Sequence, residues 1–414
     1  MLEDVKRFDM AEKPKRMHLR PLIWALCLPD LIKHRNKLTK IGMDGIKPPY
    51  LLLCNHNAFM DFKVSSRATF PHRANYVVAI DGFIKREWLL KFIGCICKRK
   101  FTNDIRLIRQ LKRVVDAGDI AVLYPEARYS LCGTTAVLPD SLGQLAKFLK
   151  VPVVTLICSG HHVNSPFWNL PDHNVKGTSA VMKCIYRPEE LENTDVEEVN
   201  RKIREEFQYD DFKWQKDNGI RIRYKGRANG LHKVLYQCPH CGTEYEMSSS
   251  GTVLRCDHCG KEWEMDEYGE LHALEGETEF SHIPDWYEWE RLNVRKEVQN
   301  GTYSFTCNAR VDALPNASGY IDLGPATLTH DMNGFRLTGQ YKGEPYDLNW
   351  PVPALYSCHI EYEYLGKFGD CVDLNTLSDT YYIYPRDCLF SVTKIALATE
   401  ELFADHERRK LKKA

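Results

Sequence analysis

The stretch Leu53-Cys54-Asn55-His56-Asn57-Ala58-Phe59-Met60-Asp61 decides how the first half of the chain is read. It leaves the apolar run Tyr50-Leu51-Leu52-Leu53 and enters a polar turn with a histidine and an aspartate five positions apart. A short run that is apolar throughout reads as a strand buried on both faces, which belongs to an α/β layer. Five is a poor spacing for contact on one helix, where neighbours lie three and four apart, but across a strand-to-helix turn the two side chains can meet. There the carboxylate accepts from one imidazole nitrogen, fixes the tautomer and leaves the other nitrogen to take a proton from a hydroxyl.

Working outward, Tyr76-Val77-Val78-Ala79-Ile80, Ile120-Ala121-Val122-Leu123-Tyr124 and Val151 to Ile157 repeat the buried-strand pattern. Ile105 to Ala117 and Ser141 to Leu149 space their apolar residues as helices do. The alternation predicts an α/β N-terminal domain over residues 1–225. Past it the composition changes. Cys238-Pro239-His240-Cys241 and Cys256-Asp257-His258-Cys259 supply four thiolates, each pair followed by Gly242 or Gly260, which predicts a structural zinc ribbon over 232–270 held by Cys238, Cys241, Cys256 and Cys259. A thioredoxin-like redox motif needs one such pair, not two. From 280 to 414, short β-rich runs with Asn333-Gly334 and Lys342-Gly343 turns precede one amphipathic helix from Phe390 to Lys413. That is a β-rich accessory domain closed by a helix, similar in outline to pleckstrin-homology-like domains.

At 414 residues, three modules are an ordinary outcome, and 43% hydrophobic with 27% charged residues excludes a disordered chain. Lys plus Arg and Asp plus Glu are 56 each. Zero net charge gives no support to nucleic-acid binding, and the acidic ribbon residues Glu244, Glu246, Asp257, Glu262 and Glu264 argue against it. Fifteen cysteines without a secretory leader pattern point to reduced thiols in the cytoplasm. Cys54 is expected in the core, not as a nucleophile.

Three ordered motifs sharpen the chemistry: His56-x4-Asp61, then Tyr124-Pro125-Glu126 with Arg128 and Ser130, then Val151-Pro152-Val153-Val154. Together they resemble the glycerolipid acyltransferase family, typified by the 1-acylglycerol-3-phosphate acyltransferases, over roughly residues 20–210. The resemblance implies transfer of an acyl group from an acyl-CoA or acyl carrier protein thioester to a hydroxyl of a lysophospholipid or glycerol phosphate, without a catalytic cofactor. It makes His56 the base, Asp61 its orienting carboxylate, and Glu126, Arg128 and Ser130 the acceptor site. Gly94-Cys95-Ile96-Cys97-Lys98-Arg99 resembles the family's second motif, so Lys98 or Arg99 becomes a further phosphate contact. The chain departs from the pattern in two places. Ala127 replaces a glycine, and Arg128 stands one position early, with Tyr129 in the usual place of the arginine.

No apolar stretch reaches the roughly 20 residues of a membrane span. Lys15, Arg16 and Arg20 precede Leu22, Ile23, Trp24 and Leu26, a pattern that fits either an interfacial helix of a peripheral membrane protein or a core-packing helix. The basic run from Lys85 to Arg113 reads as a phosphate-binding or anionic-membrane surface, or as a solvated helix face. The tail Arg408 to Lys413 fits a membrane anchor and a helix C-terminus equally. His161-His162, adjacent and without a partner carboxylate near, are expected to be structural or pocket-lining. Trp286, Tyr287, Trp289, Tyr303 and Phe305 are expected to pack in a core. A rival reading is a catalytically weak lipid-binding adaptor that keeps an acyltransferase-like fold and a zinc ribbon.

Overall fold

The computed structural model describes residues 2, 4–10, 12–15 and 19–412. Arg16 and Lys413 of the two basic segments lie outside the described residues.

The first sheet has seven strands: β1 (Lys37–Ile41), β2 (Leu51–Cys54), β3 (Ala74–Ala79), β4 (Ile96–Lys98), β5 (Ile120–Leu123), β6 (Val153–Ser159) and β7 (Ser179–Tyr186), in the spatial order β1-β7-β6-β2-β5-β3-β4. Strands β6, β2, β5, β3 and β4 run parallel, while β7 is antiparallel to β6 and pairs in parallel with β1. The apolar run at β2 is explained by burial on both faces. Leu51 and Leu53 pack with Leu111, Val114, Leu142, Ala146 and Val199 from the helices of one layer. Leu52 and Cys54 face the other way, against Val64 and Ala68 of the helix Met60–Thr69 and Ile23 and Leu31 of the helix Arg20–Lys33. Cys54 is fully buried on this second face. Strand β7 carries polar and partly buried positions and has no continuous apolar signature in the sequence.

The second sheet is the antiparallel β8 (Met247–Ser250), β9 (Val253–Cys256), β10 (Glu262–Met265) and β11 (Leu271–Ala273), in the order β11-β10-β9-β8. The third is antiparallel too: β12 (Ser304–Leu314), β13 (Ile321–Asp331), β14 (Gly334–Tyr341), β15 (Glu344–Pro351), β16 (His359–Glu361), β17 (Cys371–Asn375) and β18 (Thr380–Arg386), ordered β15-β14-β13-β12-β18-β17-β16. Asn333-Gly334 and Lys342-Gly343 turn the chain between β13, β14 and β15.

The terminal helix spans Val392–Leu411 and differs from the amphipathic expectation. Its first eleven residues, Val392 to Leu402, are all buried, because the helix Ile283–Gln299 packs along one side and the third sheet covers another. The charges this buries are paired: Lys394 with Glu244 and Glu297, Glu400 with Arg128 and Arg291, Glu401 with Arg295. In its exposed last turns Arg408 and Arg409 both reach Asp405.

One hydrophobic core runs from Leu131, Phe167 and Phe212 through Leu254 and Trp263 of the second sheet to Val311, Leu328 and Ile395. Trp286, Tyr287 and Tyr303 are buried in it. A second core joins β2 and the helix Met60–Thr69 to Leu314, Tyr382 and Tyr384 of the third sheet. The third sheet is therefore packed against the strand ends that carry His56.

Candidate active site

In a parallel sheet the carboxyl ends of the strands point their backbone and following loops at a common crevice. Here β2 delivers His56, β4 ends at Lys98, β5 leads into Tyr124 to Ser130, and β6 leads into His161. His56 lines a cavity of about 800 Å³, whose apolar wall includes Phe62, Leu107, Ile108, Leu111, Leu145 and Phe148.

The pair expected across the strand-to-helix turn does meet: His56 Nδ1 lies 3.5 Å from Asp61 Oδ2. This exceeds the roughly 2.9 Å of a well-made N–H···O bond, a slack that apo sites commonly show. Asp61 is fully buried and held on every side. Its Oδ2 accepts from the backbone N–H of Asn57 at 2.5 Å and of Ala58 at 2.9 Å, and its Oδ1 lies 2.5 Å from His161 Nδ1. Burial alone would push the carboxyl up, but the bond to His161 and the nearby His56 imidazole bring it down to about 2, so it is ionised at neutral pH. His161 thus does have a partner carboxylate, contrary to the reading of the adjacent histidines as groups without one. The partner comes from an element a hundred residues away. His162, its neighbour, points elsewhere, edge-on to Trp168 and Phe212.

The imidazole of His56 is sandwiched by rings from the β5 loop, Tyr124 at 4.4 Å and Tyr129 at 4.3 Å between centroids. Tyr124 OH is tied to Ser65 Oγ at 3.1 Å. The two tyrosines flank the Pro-Glu segment in sequence, yet nothing local marks them as partners of His56.

The expected acceptor residues stand differently around the cavity. Glu126 is fully buried and does not line the cavity; its Oε1 accepts from the His56 backbone N–H at 3.0 Å, its Oε2 from the Ala136 N–H at 2.8 Å, and Tyr209 OH donates to both. Through these bonds it braces the His56 loop. Burial pushes its carboxyl up to about 7 against the pull of those donors. Ser130 has the same kind of role: its N–H donates to the His56 carbonyl at 2.8 Å, and its hydroxyl donates to the Thr134 carbonyl at 2.6 Å. Arg128 borders the cavity but its guanidinium is spent on a buried pair, 2.6 Å from Glu400 of the terminal helix. Glu400 also binds Arg291 at 2.7 Å and accepts from Ser357 Oγ at 2.7 Å. Glu400 and Tyr356 line a second cleft of about 1340 Å³, so the Arg128–Glu400 pair stands between two cavities. Ala127 keeps a left-handed backbone at φ 56°, the conformation that a glycine adopts at little cost.

Of the two basic candidates on the segment 94–99, Lys98 lines the cavity. Arg99 does not: it is buried against the Leu314 and Pro315 carbonyls and Thr380 Oγ1, joining the first sheet to the third. The basic run Lys85 to Arg113 is accordingly no uniform surface. Lys91 pairs with Glu12 and Glu87, Lys100 with Asp373, and Arg106 with Asp104.

At the ribbon, the sulfurs of Cys238 and Cys259 lie 3.9 Å apart and those of Cys241 and Cys256 3.7 Å apart, and all four are mutually within 4.8 Å. A tetrahedron with Zn–S bonds of about 2.3 Å has an edge of about 3.8 Å, so the four thiolates fit that ion. Gly242 and Gly260, both at φ near 80°, close the two knuckles by donating to the Cys238 and Cys256 carbonyls at 2.9 Å.

A family model described as Acyltransferase matches residues 32–159, the segment that holds His56, Asp61, Lys98 and the β5 loop. No curated protein matches the chain at a significant level. Among solved structures, the crystal structure of the 1-acyl-sn-glycerophosphate (LPA) acyltransferase PlsC from Thermotoga maritima matches at 14% identity with a TM-score of 0.36, covering 46% of this chain and 76% of that one.

Proposed function

We propose, from the premise that residues 32–159 form an acyltransferase-family domain, that the protein moves an acyl group from a thioester to a hydroxyl of a glycerolipid-like acceptor, with His56 as general base. The observation that carries this reading is His56 set between Asp61 and a largely apolar cavity of about 800 Å³, a volume that can take an acyl chain. A thioester of coenzyme A or acyl carrier protein is already activated, so no nucleophilic side chain is needed. His56 takes the proton of the acceptor hydroxyl as its oxygen bonds to the thioester carbonyl carbon. Asp61 stabilises the imidazolium, the carbon–sulfur bond breaks, and the departing thiolate takes the proton from His56.

Zinc bound by the four ribbon cysteines, structural in role, is part of the proposal. Peripheral attachment to a membrane is another part, supported by the helix Arg20–Lys33, which leaves Leu22, Leu26 and Ile32 exposed. No helix among the described residues is long and apolar enough to cross a membrane. The strand order of the third sheet with its terminal helix supports a pleckstrin-homology-like outline for an accessory module over 280–414.

The test is consumption of palmitoyl-CoA with a panel of lyso-acceptors. Wild type should transfer, and His56→Ala should be slower by roughly 10²- to 10⁴-fold with an unchanged melting temperature. Equal rates for the two would sink the mechanism. The adaptor reading draws on the commitment of Arg128 to Glu400, and it gains if liposomes bind tightly while no thioester is consumed.

A further inference from the structure

One end of the His56 cavity is built by the third sheet. His359 and Glu361 on β16 line it, together with Asp81, Lys98, Lys100 and Tyr129. His359 is buried with Nε2 3.2 Å from Glu361 Oε1, and its Nδ1 has no hydrogen-bond partner among the described residues. A buried polar atom without a partner costs stability, so the ring of His359 keeps unused hydrogen-bonding capacity beside the cavity it lines. Phe167 stacks on His359 at 6.3 Å and meets Tyr129 at 5.8 Å, and Tyr129 lies on His56, so a continuous series of rings links the base to β16.

The charge at this end is nearly balanced. Lys100 sits 3.3 Å from Asp373, 3.6 Å from Asp81 and 4.0 Å from Glu361. Arg128 is held by Glu400. Among the described residues, Lys98 is the lining lysine with no ion pair; burial pushes its ammonium down, and Asp104, also on the cavity wall, pulls it back up. A phosphomonoester carries close to two negative charges at neutral pH and demands charge-assisted bonds, best from a free guanidinium fork. One ammonium beside a cluster of carboxyls matches at most a single negative charge.

We propose that β16 is the acceptor-selecting wall. The acceptor is then a glycerolipid with a hydroxylated headgroup that carries no more than one negative charge and hydrogen-bonds to His359 and Glu361; it is not a phosphomonoester. This rests on the acyl-transfer reading above and narrows its substrate class.

Palmitoyl-CoA consumption at pH 7.5 with monoacylglycerol, lysophosphatidylglycerol and lysophosphatidate tests it. The first two should exceed lysophosphatidate at least tenfold in kcat/KM. Glu361→Leu should raise the KM for lysophosphatidylglycerol at least tenfold and leave the KM for palmitoyl-CoA within twofold, while Glu361→Gln, which keeps hydrogen-bonding atoms, should restore the wild-type KM. Equal or better use of lysophosphatidate overturns the proposal, as does a parallel change of donor and acceptor KM in Glu361→Leu. If nothing is acylated, the acyl-transfer reading fails, and selection is read instead from tryptophan fluorescence on titration with the same lipids. Tenfold tighter binding of lysophosphatidylglycerol than of lysophosphatidate then upholds the selecting wall, and equal affinity refutes it.

Discussion

His161 Nδ1 lies 2.5 Å from Asp61 Oδ1, so the carboxylate that faces His56 is shared by two histidines. The second one touches nothing in the cavity, yet it fixes the rotamer of Asp61 and, through it, the ring of His56. His161→Asn should lower kcat by roughly ten- to a hundredfold with little change in KM, the scale of loss expected when a reacting group is misplaced by about an ångström. The pH profile of kcat should shift as well, since the charge environment of Asp61 changes. A variant with reduced stability but a wild-type kcat and pH profile would reduce His161 to packing.

Arg128 and Glu400 form a buried pair across 272 residues of sequence, and that pair ties the β5 loop to the terminal helix. Arg128→Met leaves Glu400 with Arg291 as its remaining cation and should destabilise the fold by about 3 kcal/mol, the lower end for breaking a buried pair. Glu400→Gln in the same chain should recover part of that loss. Urea unfolding of the two single variants and the double variant reads the coupling, and strict additivity would show that the pair contributes none.

Cys238, Cys256 and Trp263 belong to the same core as the third sheet, so if the four cysteines hold zinc as proposed, its removal should be felt far from them. Metal analysis of freshly purified reduced protein should find about one zinc per chain. A strong chelator should lower the melting temperature of the entire unit in one transition, and a separate low-temperature transition would instead mark an independent ribbon.

Glu126 makes a contribution to stability that falls as pH rises. Burial raises the folded Glu126 carboxyl from its ordinary 4.5 to about 7, so the folded state holds that proton more tightly than the unfolded chain. The associated stability is complete below about pH 4.5 and is lost as pH rises through about 7, by up to roughly 3 kcal/mol at about 1.4 kcal/mol per pH unit. Glu361, raised by burial to about 8, acts in the same sense. Asp61 acts in the opposite one: its stabilisation is present above about pH 4 and lost as pH falls through about 2. The buried histidines His162, His173 and His330, lowered to about 3 to 4, work against this decline below about pH 6.5. The Glu126 contribution is therefore read as a difference: between about pH 4.5 and 7, Glu126→Gln should lose less unfolding free energy, or gain more, than wild type. An identical pH dependence of the two proteins would show that Glu126 contributes none.

The sequence by itself determined the elements whose signal is local. The doubly buried strands at Leu51–Cys54 and Ile120–Leu123 show as unbroken apolar runs, the helix Ile105–Asp116 as a 3.6-residue period, and the ribbon as two Cys-x-x-Cys knuckles. The His56–Asp61 contact belongs here as well, because the turn between them closes within six residues. Tertiary structure alone decided which charged groups stay free. Arg128 reads in sequence as a headgroup anchor until Glu400 arrives from the last helix. Arg99 reads as a phosphate contact until the Leu314 and Pro315 carbonyls surround it. The polar end of the cavity depends on His359 and Glu361, which no local pattern marks. The reason is physical: an apolar period reports how a residue meets its near neighbours, whereas the fate of a buried charge is set by whichever partner the folded chain returns to it.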